Sequence, residues 1–225
     1  MEIKTEIKSL LQEINEICIE ENRDPKEIIV IAASKKQSVL SIKKAFLNGI
    51  TNFGENFLQE AERKISAIGP GPIWHFIGSI QSNKAKKIAK LFNWVHTIDR
   101  IKVADKLNQY RHSDRGKLNI CVQINLDYEV NKSGIPLEEA KDFVCELMNF
   151  QMLKVRGLMT IPQPTKNFDI QRSRFAKIRL EFEELREAYP HLDTLSMGMS
   201  NDFKAAVREG TTMIRIGENI FGTRR

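Results

Sequence analysis

The sequence predicts an α/β protein: a (β/α)8 barrel of the TIM type, formed by residues 1–225 as a single domain. Eight short apolar segments alternate with segments of helical periodicity along the whole chain, and strict alternation is typical of a parallel sheet. The length of 225 residues matches the roughly 200 to 250 residues of most such barrels. No linker or low-complexity segment divides the sequence. An open, doubly wound sheet is the alternative architecture.

In the first half of the chain, apolar periodicity and turn residues define four strands. An amphipathic helix comes first, with apolar residues at every third or fourth position. The stretch IIVIAASKK at 28–36 follows, and its strand is apolar on both faces, which is typical of a buried parallel strand. Gly49 is at the expected C-cap position of the helix that follows this strand. The predicted elements are, in order, helix 2–22, strand 28–33, a helix from Ser38 or Ser41 to 47, strand 51–54, helix 55–67, strand 73–78, a helix from Ser82 to 90–92 and strand 94–98.

The second half of the chain repeats this pattern. The fixed φ of Pro136 suits a helix start, Pro162 and Pro164 mark a loop, and Gly210 ends the last crossover helix. The predicted elements are helix 100–111, strand 118–126, a helix from 136 to about 150, strand 153–161, helix 168–188, strand 194–197, helix 201–209, strand 212–216 and a closing turn at 217–222. Because too few residues follow the eighth strand for a full helix, we expect helix 2–22 to pack beside that strand, where the closing helix of a barrel would lie.

The net charge does not indicate nucleic-acid binding. Lys and Arg number 35 and Asp and Glu number 29, which gives +6, but the basic residues are scattered through helices that also carry acids. The densest cluster, formed by Lys84, Lys86, Lys87 and Lys90, is typical of a solvated helix face. Without a recognised motif or interleaved aromatic residues, we expect no nucleic-acid partner. A net positive field does attract a phosphorylated small ligand.

The cysteines and the N-terminus indicate a reduced protein of the cytoplasm. Cys18, Cys121 and Cys145 are far apart and lack the spacing of a metal site. We therefore expect three reduced, buried cysteines, no metal and a cytoplasmic location. The N-terminal segment alternates charged and apolar residues, which predicts neither a signal peptide nor a membrane span.

A lysine stands at the carboxyl end of the first strand, the end at which barrel enzymes place their sites. There the amine of Lys35 would lie at the mouth of the core, where a lysine can lose its proton and attack a carbonyl carbon to form a Schiff base. The alternative is that Lys35 and Lys36 are both solvated, since lysines are rarely buried without a partner. Strand alternation gives Lys35 the phase of Ile31 and Ala33, but the sequence does not tell which phase faces the barrel axis.

The loops after strands seven and eight have the composition of a phosphate site, and barrels frequently bind phosphate there. Met199 and Ser200 stand at a predicted helix start, where free N–H groups face an anion, and Ser200 adds a hydroxyl. Gly217 lets a second backbone segment approach closely. The alternative is that Ser200 or Asn201 only caps the helix.

A strand-end lysine, a phosphate site and a neighbouring arginine together suit pyridoxal 5'-phosphate (PLP). This cofactor needs a lysine for its aldehyde, a phosphate site and a group that faces its ring nitrogen. Arg215 suits the third task, and because an arginine keeps its protons, the ring nitrogen would stay unprotonated and the ring would be a weak electron sink. An ion pair of Arg215 with Glu218 or Asp99 is the alternative. We expect Arg215→Gln to perturb the ring more than the fold.

Seven segments of the chain resemble one family. They are AASKK, FGENFLQE (53–60), WHFIGSIQSNK (74–84), VHTID (95–99), NKSG (131–134), GLMTI (157–161) and SMGMSNDFKAAVREGTTMIRIGENIFG (196–222). The chain is similar in them to the YggS/PROSC family of pyridoxal phosphate homeostasis proteins. The resemblance implies a barrel like the N-terminal domain of alanine racemase that binds PLP through one lysine, Lys35 by its position in the Ser-Lys motif. It assigns the phosphate to the neighbourhood of Ser200 and Gly217 and the ring nitrogen to Arg215, while Asn56, in the GEN motif, lines the site.

The chain departs from the pattern of this family at a few positions. Gln37 and Ser38 stand where a proline is often found soon after the lysine, and Glu218 stands where a small or hydroxylated residue is common. Lys36 directly follows the expected anchor, which leaves the choice between the two lysines slightly ambiguous.

The resemblance implies a cofactor carrier rather than an enzyme. Such a protein holds PLP as a reversible lysine aldimine, limits the free aldehyde, passes the cofactor to apo-PLP enzymes and takes part in intracellular vitamin B6 homeostasis without robust catalysis. We therefore expect no catalytic residue, no membrane partner and a monomer. The enzymes that receive the cofactor, the trigger for release and the role of Lys36 stay open.

A PLP-dependent amino-acid racemase, even a weak one, is the alternative function. Racemisation needs acid and base groups on both faces of the substrate carbon, and alanine racemases take one of them, a tyrosine, from an additional β-domain of a partner subunit. Because the predicted barrel takes up residues 1–225, we expect no such domain in this chain. Its tyrosines, Tyr110, Tyr128 and Tyr189, fall in predicted helices or loops, which disfavours the racemase.

Overall fold

The strands close into a parallel barrel in the order in which they occur along the chain. The computed structural model describes residues 2–129 and 132–222. The strands are β1 Ile29–Ala33, β2 Asn52–Glu55, β3 Ile73–Phe76, β4 Trp94–Ile98, β5 Leu118–Ile124, β6 Leu153–Thr160, β7 Thr194–Met199 and β8 Met213–Ile216. Because β8 pairs with β1, the sheet has no edge. The predicted barrel is confirmed, and the open sheet is not formed.

The helices surround the barrel. They are α1 Ile3–Glu20, α2 Val39–Leu47, α3 Leu58–Ile68, α4 Ala85–Leu91, α5 Ile101–Tyr110, α6 Ala140–Leu147, α7 Phe168–Ala188, α8 Phe203–Arg208 and α9 Glu218–Phe221. Ser38, rather than Ser41, caps α2, since its side chain accepts the Ser41 N–H at 3.0 Å. Residues 55–57, predicted to be helical, instead end β2 and form the turn before α3. Asn131 of the NKSG segment lies outside the described residues.

The N-terminal helix α1 packs where the closing helix of a barrel would lie. Its buried face is formed by Ile7, Leu10, Ile14, Ile17 and Cys18. The helix contacts α8, α9 and α2. On its polar side, Arg208 of α8 donates to the carboxylates of Glu20 and Glu21, and Lys204 pairs with Glu13. The expected position of this helix is therefore confirmed.

A small cluster of side chains fills the barrel axis and fixes which residues of each strand face inward. It consists of Ile31, Trp94, Cys121, Met159 and Met213, with Ile29 and Ile161 packed against it. Ile29 and Ile31 are two residues apart on β1 and both face inward. Because side chains alternate along a strand, Ala33 faces inward as well. The inward phase of β1 is therefore that of Ile31 and Ala33, a point that the sequence left open, and Lys35 follows after the strand has ended.

Two predictions about surface and core residues have different outcomes. Cys18 and Cys121 are buried as expected, but Cys145 is exposed. The buried residues of α6 are Ala140, Val144 and Leu147, so position 145 falls outside this helical stripe. Lys86, Lys87 and Lys90 are exposed on α4, as the solvated face predicts. Among residues 2–129 and 132–222, no helix has the length and apolar character needed to cross a membrane.

Candidate functional site

The six predicted binding residues lie within or just after four neighbouring strands, β7, β8, β1 and β2, at or near their carboxyl ends. In the register of the sheet, Arg215 pairs with Ile31 on one side and Met199 on the other. Lys35 follows β1, Asn56 follows β2, Ser200 follows β7 and Gly217 follows β8. The barrel thus brings together residues that are up to 182 positions apart in the sequence, Lys35 and Gly217 among them.

The turn after β1 separates the two adjacent lysines. Lys35 is half-buried and Lys36 is exposed. Lys36 has φ 63°, in the left-handed region that a residue with a Cβ enters only at a cost. The Gln37 N–H donates to the Ser34 carbonyl at 3.0 Å and closes the turn.

A buried charged cluster lies beneath this turn, and we call it the α3 clamp: Ser34, Glu55, Glu60 and Lys64. The Lys64 ammonium donates to the Ser34 carbonyl at 2.6 Å and to Glu55 Oε1 and Glu60 Oε1 at 2.7 Å each. The Ser34 hydroxyl donates to Glu55 Oε1 at 2.6 Å. Burial raises the pKa of Glu55, and the hydrogen bonds from Lys64 and Ser34 oppose that rise. All three ammonium protons of Lys64 have acceptors, which explains how a lysine with a side chain only 5% exposed is tolerated.

A chain of hydrogen bonds crosses the barrel interior and ends at Arg215. Arg215 Nη1 donates to the Ser196 carbonyl and hydroxyl at 2.8 and 2.7 Å, and Nη2 donates to the Thr160 carbonyl at 2.9 Å. Ser196 Oγ lies 2.9 Å from His96 Nδ1, His96 Nε2 lies 2.9 Å from His75 Nδ1, and His75 Nε2 lies 2.9 Å from Asn52 Oδ1.

The direction of this chain follows from its arginine end. A guanidinium only donates, so Ser196 Oγ accepts from Arg215 and gives its own proton to His96 Nδ1. His96 then donates from Nε2 to His75, and His75 donates from Nε2 to Asn52. Both histidines are satisfied as neutral rings. Burial lowers the pKa of His75 to about 3, and burial together with His75 and Arg215 holds the pKa of His96 well below its ordinary value.

These two histidines predict a loss of stability in mild acid. An unfolded histidine takes up a proton below pH ~6.5, whereas the folded rings stay neutral, so the free energy of unfolding falls as the pH falls. Two such groups lower it by about 3 to 4 kcal/mol between pH 7 and pH 5. Urea denaturation at both pH values measures the change.

A matched variant isolates the histidine contribution from that of the acids. The raised pKa values of Glu55 and Asp202 act in the opposite direction, because the folded state binds those protons more tightly. We expect His96→Gln to lose about half of the histidine contribution to the pH dependence. An identical pH dependence in His96→Gln and the unchanged protein would contradict the assignment.

Arg215 places a positive charge inside the barrel that no carboxylate in the described residues contacts. Burial lowers its pKa to about 10, so the guanidinium stays protonated at neutral pH. The expected alternative, an ion pair with Asp99 or Glu218, is not formed: Asp99 pairs with Arg100. The charge of Asp202 acts on Arg215 without a contact, and a buried cation that no carboxylate contacts favours an anionic ligand.

The loop after β7 differs from its predicted form. Met199 ends β7 and α8 begins at Phe203, so neither Ser200 nor Asn201 caps the helix. The Met199 N–H instead donates to Asp202 Oδ1 at 2.6 Å, and burial raises the pKa of that carboxyl. Met199 and Ser200 line a cleft of about 710 Å³ with the loop at 162–165.

Contacts within the described residues explain neither the side chain of Asn56 nor the glycine at 217. Asn56 Oδ1 is buried and has no hydrogen-bond partner within the described ranges, which leaves an acceptor for a ligand. A Cβ on Gly217 would lie 3.5 Å from the Ala33 carbonyl oxygen and 3.7 Å from its Cβ, an ordinary contact distance. The protein's own packing therefore does not require glycine at 217.

Sequence reasoning missed the α3 clamp and the chain of hydrogen bonds from Arg215 to Asn52. The spacing of Glu60 and Lys64, four residues apart on a helix, was the available signal for the clamp. The chain of hydrogen bonds has members on β2, β3, β4, β7 and β8, so only the barrel register reveals it.

Comparison with known proteins gives a consistent set of relatives. Residues 14–225 match the family described as alanine racemase, N-terminal domain. The chain is 42% identical to a pyridoxal phosphate homeostasis protein of Haemophilus influenzae, across 100% of this chain and 97% of the relative. It is also 42% identical to a protein of the same name from Escherichia coli K12, across 90% and 88% of the two chains.

Solved structures agree with the sequence matches. PipY of Synechococcus elongatus PCC7942, determined with PLP bound, superimposes with a TM-score of 0.84 at 31% identity, covering 98% of this chain and 100% of that one. An alanine racemase of Clostridium difficile superimposes with a TM-score of 0.77 at 14% identity, covering 99% of this chain and 57% of that one. At that identity the second likeness concerns the fold alone.

Proposed function

The chain belongs to the pyridoxal phosphate homeostasis proteins, a family with the fold of the alanine racemase N-terminal domain, and from this premise we propose that it binds PLP and takes part in vitamin B6 homeostasis. We further propose that Lys35 holds the cofactor covalently and reversibly. When bound, PLP supplies an aldehyde that condenses with a lysine amine with loss of water. The relatives support the first proposal, because PipY was determined with PLP bound and the bacterial relatives carry the homeostasis name.

The observation that carries the proposal is the arrangement of Lys35 and Arg215 on adjacent strands. Arg215 pairs with Ile31, and Lys35 lies four residues further along β1 and its turn. The arginine therefore lies deeper in the barrel than the lysine. We infer that Lys35 is also on the axis side, because it continues the alternation of Ile31 and Ala33. A ligand that carries an aldehyde, a ring nitrogen and a phosphate can meet these groups at once.

We assign each remaining group a task that fits its surroundings. Arg215 donates to the ring nitrogen and, as a permanent cation, keeps that nitrogen unprotonated. Ser200 and Gly217, in the loops on either side of Arg215, bind the phosphate. Met199 contributes least, since its N–H already donates to Asp202. Asn56 offers its amide oxygen, for which residues 2–129 and 132–222 provide no hydrogen-bond partner.

The placement of the tyrosines supports a role without robust catalysis. Tyr110 ends α5 and Tyr189 follows α7. In this fold the helices run antiparallel to the strands, so both residues lie at the opposite end of the barrel from Lys35. Tyr128 follows β5, but its hydroxyl donates to Glu138 at 2.7 Å. None of the three is positioned as a racemase acid beside Lys35.

The accompanying expectations are that the protein acts in the cytoplasm as a monomer and passes PLP to apo-PLP enzymes. A carrier has to release its cargo, and a covalent bond formed by loss of water is reversed by water. Sedimentation of the loaded protein tests the monomer, and reactivation of an apo-PLP enzyme by the loaded protein tests the transfer.

Titration with PLP tests the proposed function. We expect one equivalent of PLP to give a yellow protein and sodium borohydride to bleach it with retention of the mass. Incubation of the loaded protein with alanine and other amino acids, followed by chiral chromatography, tests the racemase alternative. Sustained turnover there would contradict the assignment as a carrier, and failure to retain PLP after reduction would contradict covalent binding.

A further inference from the structure

The turn after β1 decides which of two adjacent amines faces the barrel. Ser34, Lys35, Lys36 and Gln37 form a four-residue turn closed by the Gln37 N–H and the Ser34 carbonyl at 3.0 Å. Its third residue, Lys36, has φ 63°, a value that glycine adopts readily and lysine does not. Lysine stays in this conformation only where its surroundings determine it.

The α3 clamp holds Lys36 at this φ through hydrogen bonds from the neighbouring helix. Glu60 Oε1 accepts the Lys36 N–H at 2.5 Å and the Lys64 ammonium at 2.7 Å. The same ammonium donates to the Ser34 carbonyl. Two residues of α3 thus hold the amide of the third turn residue and the carbonyl of the first. Hydrogen bonds to ionised groups are the stronger ones, and Lys64 is buried where water competes little.

The clamp and the side-chain positions are linked through the backbone. With the Lys36 N–H held by Glu60, Lys35 is half-buried and Lys36 is exposed. If the carboxylate is lost, Lys36 returns to the negative φ that its Cβ favours. That rotation turns the peptide between the two lysines and re-aims both side chains.

We propose that Glu60, held by Lys64, is the positioning residue that makes Lys35 rather than Lys36 the amine that receives the aldehyde. The inference rests on the proposed function. In the step concerned, the amine nitrogen replaces the aldehyde oxygen, the C=N bond forms and the oxygen leaves as water. No oxidant or reductant takes part. Glu60 acts through the turn and does not touch the reacting atoms.

The chain offers a matched control on the same helix. Glu62 also lies on α3 and pairs with a lysine, but its partner Lys87 is exposed and lies on α4 at 2.8 Å. Substitution of Glu62 removes the same charge from the same helix without touching the turn. Glu60→Ala, Glu60→Gln and Glu62→Ala therefore form the comparison.

The experiment measures the distribution of the adduct between the two lysines. Each protein is loaded with PLP, reduced with borohydride and digested, and fragmentation mass spectrometry gives the ratio of adduct at Lys36 to adduct at Lys35. We expect Glu60→Ala to raise this ratio about tenfold or more, since it removes a hydrogen bond to an ionised group. Glu60→Gln keeps an acceptor and raises it less, and Glu62→Ala leaves it unchanged.

A rescue separates the positioning role from simple loss of stability. Glu60→Ala is also expected to slow adduct formation at Lys35. Glycine adopts φ 63° without help, so Glu60→Ala combined with Lys36→Gly is expected to regain the rate of the unchanged protein at Lys35. The inference is overturned if Glu60→Ala and Glu60→Gln keep the ratio of the unchanged protein, or if the rescue fails in a folded double variant. Absence of any adduct at residues 35 and 36 of the unchanged protein would instead refute the proposed function itself.

Discussion

Lys35→Ala protein is expected to form no borohydride-reducible adduct with PLP at the barrel mouth. The substitution removes the amine but leaves Arg215, Ser200 and Gly217, so a weak, reversible affinity for the phosphorylated ligand remains. We expect the dissociation constant to rise by about two orders of magnitude or more, because the covalent bond no longer contributes. Absorbance titration and mass measurement after reduction check both parts.

Lys36→Ala is the matched control for this prediction. It removes an adjacent amine of the same chemistry from an exposed position, and we expect it to keep the adduct at Lys35. If Lys35→Ala retains a full adduct while Lys36→Ala loses it, the two residues have the reverse of the proposed roles.

Arg215→Gln is expected to weaken both the fold and the binding of PLP. The substitution leaves the Ser196 carbonyl and hydroxyl and the Thr160 carbonyl, all accepting from Arg215, without their donor inside the barrel. Buried acceptors without donors cost about 1 to 3 kcal/mol each, and part of that is relieved by repacking. We expect the free energy of unfolding to fall by about 3 kcal/mol, as measured by urea denaturation.

The same variant removes the positive charge that favours an anionic ligand. We expect the dissociation constant for PLP to rise at least ~10-fold, with a shifted absorbance band because the donor to the ring nitrogen is lost. Arg215→Lys keeps the charge but not the planar fork of donors. It should therefore retain more affinity than Arg215→Gln while still losing stability. Equal stability of Arg215→Gln and the unchanged protein would contradict a stabilising role for the hydrogen bonds that Arg215 donates inside the barrel.

Arg215 also shows what the sequence alone could not supply. As the group expected to face the ring nitrogen of PLP, it was expected to affect the ring more than the fold. The structure adds an effect on the fold, because the side chain anchors a chain of hydrogen bonds that reaches Asn52. The members of that chain contact each other only once the strands are in register, and no local pattern marks His75 or His96 as partners.

The barrel itself was predictable because its signals are local. Apolar runs, glycine and proline punctuation and strict alternation indicated all eight strands, and the short tail after β8 indicated where α1 packs. The same local signals did not fix boundaries: β7 extends to Met199, past an irregularity in its pairing with β8 at Gly198, whose φ is 96°. Cys145 was expected to be buried from its apolar neighbours, yet it lies off the inward stripe of α6.

The sequence was sufficient to propose candidate residues for the site, but not the groups that support them. Strand-end positions suggested Lys35 and Arg215, and the closure of the barrel puts Arg215 on β8 next to β1, the strand that Lys35 follows. The choice between Lys35 and Lys36 depends on a carboxylate and an ammonium on α3. Because lysines are rarely buried, sequence reasoning predicts an exposed Lys64 and misses its buried role.

Peptide mapping of the reduced complex tests the central claim most directly. The unchanged protein is loaded with PLP, treated with borohydride and digested, and the modified residue is located by fragmentation. The account predicts one modified peptide from the segment IIVIAASKK, with the added mass on Lys35. Modification confined to any other lysine, or a reduced protein without added mass, would contradict it.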